Sequence, residues 1–473
     1  MSCQGQGYGF LLNGSRFFIT YFLHSVQRIL IRDANIVNEG KIIPGDVYIK
    51  EGLIYSVGGD LSGKEADIEI NANGKYLLPG LIDDQVHFRE PGLTHKAEIY
   101  TESKTAVSGG VTSFMEMPNT IPQSTTHELL EEKYSIAAQR SLANYSFYLG
   151  ATNTNIETIK SVDAANVCGV KVFQGSSTGN MLVDNPDSLE AIFKECPILI
   201  ATHSENDNII KANLERYKKE YGENIPAKLH PKIRTEEACY DASKTVVEMA
   251  KTFGTKLHVL HISTGKEVAL FDNSLPLSEK RITAEACIHH LWFSEEDYKT
   301  KGNFIKWNPA IKTSEDRALI VKGVLEGNID VIATDHAPHT IEEKEQSYLK
   351  APSGGPLLQH GLPALLEMYH DGKISLEKIV EKTSHNVAIL FEIEKRGYLR
   401  EGYFADLVLV DLDSPWEVKR DNVLSKCGWS PFEGQTFRSK VTHTIVSGHL
   451  AYENGVFNEE INGRRLKFSR NVG

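Results

Sequence analysis

Eight times between residues 80 and 395, a short apolar run of strand length gives way to a longer segment of helical character. The runs fall at 81–87, 112–118, 144–151, 167–173, 197–203, 256–263, 282–288 and 329–335, with helices expected between them at positions such as 98–108, 127–141, 236–253 and 314–326. Eight such units in about 300 residues predict an α/β fold, a closed (β/α)8 TIM barrel. No Gly-x-Gly-x-x-Gly turn follows the first run, which argues against an open dinucleotide-binding sheet.

The flanks have a different texture. Residues 28–79 and 396–460 read as short alternating strands broken by Gly and Asn turns, the pattern of antiparallel sheet. A small β-sandwich domain built from both chain ends, around a barrel over 80–395, is the expected organisation. Residues 1–27 include the apolar run 17–23 but no strongly charged leader and no convincing cleavage site, so they are expected to be a disordered extension.

Hydrophobic content of 41% and charged content of 24% fit a soluble globular protein. A net charge of −12 argues against a general nucleic-acid binder, though it leaves room for a local cationic pocket. The six cysteines are scattered with no Cys-x-x-Cys pair, as expected of reduced thiols in a cytoplasmic protein. No run of about 18 apolar residues marks a membrane span.

In a barrel the C-terminal strand ends share one mouth. The polar residues at or just beyond the expected strand ends are His87, Asn119, Lys171, His203, His261, Asn308 and Asp335. Each taken singly is more often structural; His87 and Arg89, for example, would suit the polar face of an edge strand. Histidines, a carboxylate and a lysine gathered in one bowl are instead the ingredients of a divalent metal centre. Lys171 lies in the apolar run Cys-Gly-Val-Lys-Val-Phe, where an ammonium is costly to desolvate. The amine is therefore expected to be depressed in pKa and able to add carbon dioxide as a bridging carbamate.

The segment Asp84-Gln85-Val86-His87-Phe88-Arg89-Glu90-Pro91-Gly92 resembles the His-x-His-x-Arg-x-Pro-Gly signature of dihydroorotases, within the cyclic amidohydrolases, with Gln85 in place of the first histidine. Gly-Val-Lys-Val-Phe-Gln-Gly-Ser-Ser-Thr-Gly around Lys171, Ala-Thr-His-Ser-Glu at His203, His-Val-Leu-His-Ile-Ser-Thr at His261 and Ala-Thr-Asp-His-Ala-Pro-His at Asp335 resemble further stretches of that family. So does Gly-Tyr-Phe-Ala-Asp-Leu-Val-Leu-Val-Asp at 402–411.

The resemblance implies metal binding by His87, carboxylated Lys171, His203, His261 and Asp335, with Asp335 as general acid/base. It implies a substrate carboxylate held by Arg89 and Asn119, and ring contacts from Asn308, His339, Ser353 and Gly354. Lys312, in Asn-Pro-Ala-Ile-Lys, is an altered match to a family arginine. His258 and His336 are left as structural, the latter facing the packing side by strand alternation.

The implied reaction is the reversible cyclisation of N-carbamoyl-L-aspartate to L-dihydroorotate in pyrimidine synthesis. One or two Zn2+ ions are implied, the second site weakened by Gln85. The implied assembly is a homodimer or higher homo-oligomer, with contact to aspartate transcarbamoylase possible. Three alternatives stay open: a hydantoinase or allantoinase, a catalytically impaired scaffold binding aspartate transcarbamoylase, and a metal-dependent deaminase on the same barrel.

Overall fold

The computed structural model describes residues 27–175 and 181–470. Apart from Gln27, the expected extension lies outside the described residues, as do residues 176–179 of the Lys171 stretch.

Eight parallel strands form the barrel: β1 (Leu81–Val86), β2 (Val111–Glu116), β3 (Asn144–Phe147), β4 (Val170–Gln174), β5 (Ile200–Ser204), β6 (Leu257–Val259), β7 (Ile282–Cys287) and β8 (Val331–Ala333). β1 pairs with β2 and β2 with β3. A second run pairs β4 through β8 in order. Leu149–Gly150 continues β3 beyond Tyr148 and pairs with β4, joining the two runs. The ring closes where Val86 bridges His336 and the Thr334 hydroxyl donates to Asp83 Oδ2 at 2.6 Å.

Helices Ile99–Ser108, His127–Arg140, Glu236–Phe253 and Ser314–Glu326 occupy the expected positions. Thr126, Thr235 and Thr313 cap the last three, each hydroxyl accepting a first-turn N–H. Because helices cover the outside and side chains fill the inside, the barrel strands are almost wholly buried.

Two strands stop well before the ends of their apolar runs. β6 stops at Val259 and β8 at Ala333, so the expected continuations through His261 and Asp335 are not strand. The backbone turns instead, with φ of 39° at His261 and 49° at Asp335. Arg89, three residues past β1, has φ of 70°. Non-glycine residues avoid this region, and such strain collects where a site demands particular side-chain directions.

The chain ends form a nine-stranded mixed sheet. Arg28–Asn38 pairs with Lys41–Lys50 antiparallel and with Tyr76–Pro79 in parallel, and Leu407–Asp411 adds antiparallel to Tyr76–Pro79. Ile29, Ile31, Ile36, Val47, Ile49, Leu77, Leu407 and Ile445 supply its core. Tyr76–Pro79 leads through Gly80 directly into β1, which ties this layer to the barrel. A second tie is the Asn144 amide on β3, which donates to Asp406 at 3.0 Å and accepts from Ser447 at 2.9 Å. No helix among the described residues is long and apolar enough to cross a membrane.

Candidate active site

Two residues at the mouth converge on one carboxylate oxygen. His87 Nε2 and Gln85 Nε2 each stand 3.2 Å from Asp335 Oδ1, while His87 Nδ1 lies 2.7 Å from Asn119 Oδ1. Across the bowl, His203 at the end of β5 and His261 just past β6 face each other, with Nδ1 and Nε2 3.0 Å apart. Glu205, two residues beyond His203 and thus on the same face, lies 3.0 Å from His203 Nε2 and is itself paired with Arg234. A carboxylate there fixes the proton on Nε2 and frees the Nδ1 lone pair for the bowl. The His261 backbone N–H donates to Glu285 Oε1 at 2.8 Å, whereas the ring Nδ1 of His261 has no hydrogen-bond partner among the described residues.

Lys171 is electrostatically coupled to these groups. Only 1% exposed, it is lowered to about 7 by burial, against the pull of Glu285 and Asp335. Its charge in turn lowers His87, His203 and His261 and draws down Asp335. Burial is the larger effect throughout: it holds the three imidazoles below their usual range and pushes Asp335 up to about 7. Neutral imidazoles, a neutralisable amine and a carboxylate form a donor set that suits a divalent metal. Two nitrogen ligands on one tetrahedral zinc lie roughly 3.3 Å apart, close to the His203–His261 separation. The residues present therefore fit a metal centre.

The substrate-side residues form a second group. Arg89 donates through Nε to the Pro338 carbonyl at 3.0 Å and places Nη2 3.1 Å from His339 Nε2. Nε2 also lies 3.0 Å from the Ser353 carbonyl, and Lys96 Nζ meets Nδ1 at 3.0 Å. The Ser353 hydroxyl donates to Asn308 Oδ1 at 3.0 Å. Gly354, with φ of 125°, leaves no room for a side chain, since a Cβ would lie 2.6 Å from the Ala337 carbonyl oxygen. Arg89, His339, Ser353 and Asn308 thus make a polar wall whose fixed charge is Arg89, while the Lys96 ammonium is paired with Glu343 at 2.9 Å. No hydrogen bond joins Arg89 to Asn119: the asparagine is engaged by His87 and the arginine by His339 and Pro338. Burial lowers Arg89 to about 10, so it remains charged at neutral pH.

Glu116 and Lys133 hold the Arg89 turn from behind. They form a fully buried 3.0 Å ion pair, and Glu116 Oε1 accepts the Phe88 N–H at 2.8 Å. Gly92 completes the turn at φ 83°, where a Cβ would lie 2.0 Å from the Ile121 carbonyl oxygen.

Lys312 is turned to Ser263 at 2.8 Å and the Ala310 carbonyl at 3.1 Å. His336 faces the packing side, 2.7 Å from Glu102 on the Ile99–Ser108 helix, although β8 has already ended at Ala333. His258 belongs to a fully buried group with Asp84 and Glu285, whose ligand-type atoms all lie within 4.8 Å of one another. The sequence reading passed over Glu205, Glu285 and Lys96. The two-residue step from His203 to Glu205, on one strand face, was the available signal for the first.

Residues 76–451 match the amidohydrolase family. The chain belongs to that family. Its members are generally metal-dependent, in keeping with the donor set at the barrel mouth. Among individual proteins, it is 32% identical to the dihydroorotase of Methanosarcina mazei, over 86% of this chain and 90% of that protein. It is 33% identical to the dihydroorotase of Halobacterium salinarum, over 86% and 92% respectively. In structure it is similar to the L-hydantoinase (dihydropyrimidinase) of Arthrobacter aurescens, with a TM-score of 0.87 and 27% identity, covering 93% of this chain and all of that one. That solved structure carries the same architecture of barrel and terminal sandwich.

Proposed function

We propose that this amidohydrolase is a dihydroorotase, interconverting N-carbamoyl-L-aspartate and L-dihydroorotate in cytoplasmic pyrimidine synthesis. The observation that carries this reading is the buried Arg89 guanidinium, whose charge acts on both His87 and Asp335, which face one another at 3.2 Å. A ring bearing a carboxylate calls for fixed cations next to the hydrolytic centre, and an arginine fork supplies directional donors. The names of the relatives in Methanosarcina mazei and Halobacterium salinarum point the same way.

His203, His261, Lys171 as its carbamate, His87 and Asp335 are the residues that would hold zinc. Zinc bound there would lower the pKa of a water ligand and polarise the ring amide carbonyl. Asp335 accepts the proton of the attacking water and returns it to the ring nitrogen as the amide bond breaks; in the synthetic direction the transfers reverse. Arg89, with Asn119 approaching from the His87 side, binds the substrate carboxylate. Asn308, His339 and the Ser353–Gly354 backbone orient the ring.

The likeness to an L-hydantoinase favours a second reading, hydrolysis of a five-membered cyclic ureide. Parallel rates on dihydroorotate, hydantoin and allantoin separate the two. Dihydroorotate preferred by a hundredfold or more supports the proposal, and hydantoin or allantoin preferred overturns it.

A further inference from the structure

Gln85 stands where the resemblance calls for an imidazole, and its neighbours on β7 suit an amide. The side chain is buried, at 2% exposure, with Nε2 at Asp335 Oδ1 and Oε1 3.7 Å from Cys287 Sγ. Cys287, the last residue of β7, also lies 3.1 Å from Glu285 Oε1. A thiol has one hydrogen, and the nearer acceptor, a carboxyl oxygen, takes it. The sulfur then presents a lone pair to Gln85, whose better partner for it is the amide NH2.

A half-turn of the amide exchanges its two ends. Nε2 then meets the sulfur, and Oε1 joins His87 Nε2 and Asp335 Oδ1, which already face one another at 3.2 Å. Without a cation, the NH2 belongs on the Asp335 carboxylate. With one, three lone pairs at that point become an asset. Cys287 tolerates both arrangements because its one hydrogen can swing from Glu285 to Oε1, or stay on Glu285 while the sulfur accepts from Nε2.

We propose that Cys287 is a positioning residue for Gln85: its sulfur takes the amide NH2 so that the Gln85 carbonyl oxygen serves as a ligand to the divalent cation held by His87 and Asp335. This rests on the metal centre of the dihydroorotase reading. An alanine at 287 leaves the NH2 no partner but Asp335, which withdraws an oxygen donor from the cation. A histidine at 85 brings its own nitrogen and has no need of the thiol.

Titration of metal-stripped protein with Co2+ against a competing chelator tests this, with the absorption spectrum as a second readout. The wild type is expected to take up two equivalents, the second more weakly. Cys287→Ala weakens the second about tenfold and spares the first, whereas Cys287→Ser, whose hydroxyl also accepts from an amide, retains it. In a Gln85→His background, Cys287→Ala leaves both affinities unchanged. Equal losses in the two backgrounds would mark a merely structural thiol and overturn the proposal. A sulfur-to-cobalt charge-transfer band that disappears with Cys287→Ala would also overturn it, by making the cysteine itself a ligand. Uptake of a single equivalent by the wild type removes the proposed Gln85 ligand while sparing the dihydroorotase reading. Failure of folded wild type to bind any Co2+ overturns both.

Discussion

His203 Nδ1 and His261 Nε2, fifty-eight residues apart in sequence, face each other across 3.0 Å inside a buried bowl. Burial keeps both rings neutral, so the pair presents nitrogen lone pairs to a common point, as two ligands of one ion do. Replacement of either by Ala is therefore expected to remove the more tightly held metal and lower kcat/KM for dihydroorotate by about a thousandfold or more. Metal analysis and kinetics on the same preparation check this; full metal content in His261→Ala would contradict it.

On the proposed reading, Arg89 discriminates among cyclic amides by their carboxylate. Arg89→Met is expected to reduce kcat/KM for dihydroorotate by about a hundred- to a thousandfold, with less than a tenfold change for hydantoin, which carries no carboxylate. A matched loss on both substrates would assign Arg89 to the architecture of the loop instead of to carboxylate binding.

Lys171 couples the site to stability. In metal-free, carbon dioxide-free protein its folded pKa is depressed from 10.5 to about 7 by burial. Between those values the unfolded chain holds a proton that the folded chain does not, so this contribution to stability rises with pH across that window. Below about 7 both states are protonated and the cost of burial is at its full, constant value. Lys171→Met is expected to stabilise the metal-free protein at pH 7 by on the order of 3 kcal/mol while abolishing activity. Thermal melts at pH 7 and pH 10 check the sign: the gap between variant and wild type narrows at the higher pH.

The Glu116–Lys133 pair carries no accessible surface. Lys133→Met leaves a carboxylate buried without its partner, and about 3–5 kcal/mol of stability is expected to be lost. Adding Glu116→Gln recovers a large part of that loss, because the buried charge is gone. Denaturant unfolding of the two variants distinguishes this from loss of packing, which the second substitution would not repair.

Much of this was legible in the sequence because a barrel converts strand order into a shared rim. Lys171 and His203 sit on β4 and β5, where the apolar runs place them. His261 and Asp335 lie at the bowl, but on a backbone other than the strand expected for them. Their apolar runs look like strand throughout, while the structure turns at φ of 39° and 49°, because the bowl and not local propensity sets the direction of those side chains. Glu205 was missed although its two-residue step from His203 marks it, and Glu285, inside β7, has no metal-ligand spacing to single it out. Lys96 lies in a loop whose path past His339 no periodicity encodes. Arg89 and Asn119 were paired by resemblance, and the fold gives each a different partner.

The most direct measurement is the initial rate of dihydroorotate ring opening by purified protein reconstituted with zinc, beside the same protein stripped of metal. The expected result is turnover that depends on zinc and is lost in Asp335→Ala. Folded, zinc-loaded wild type that opens hydantoin or allantoin but leaves dihydroorotate intact would contradict the proposed function.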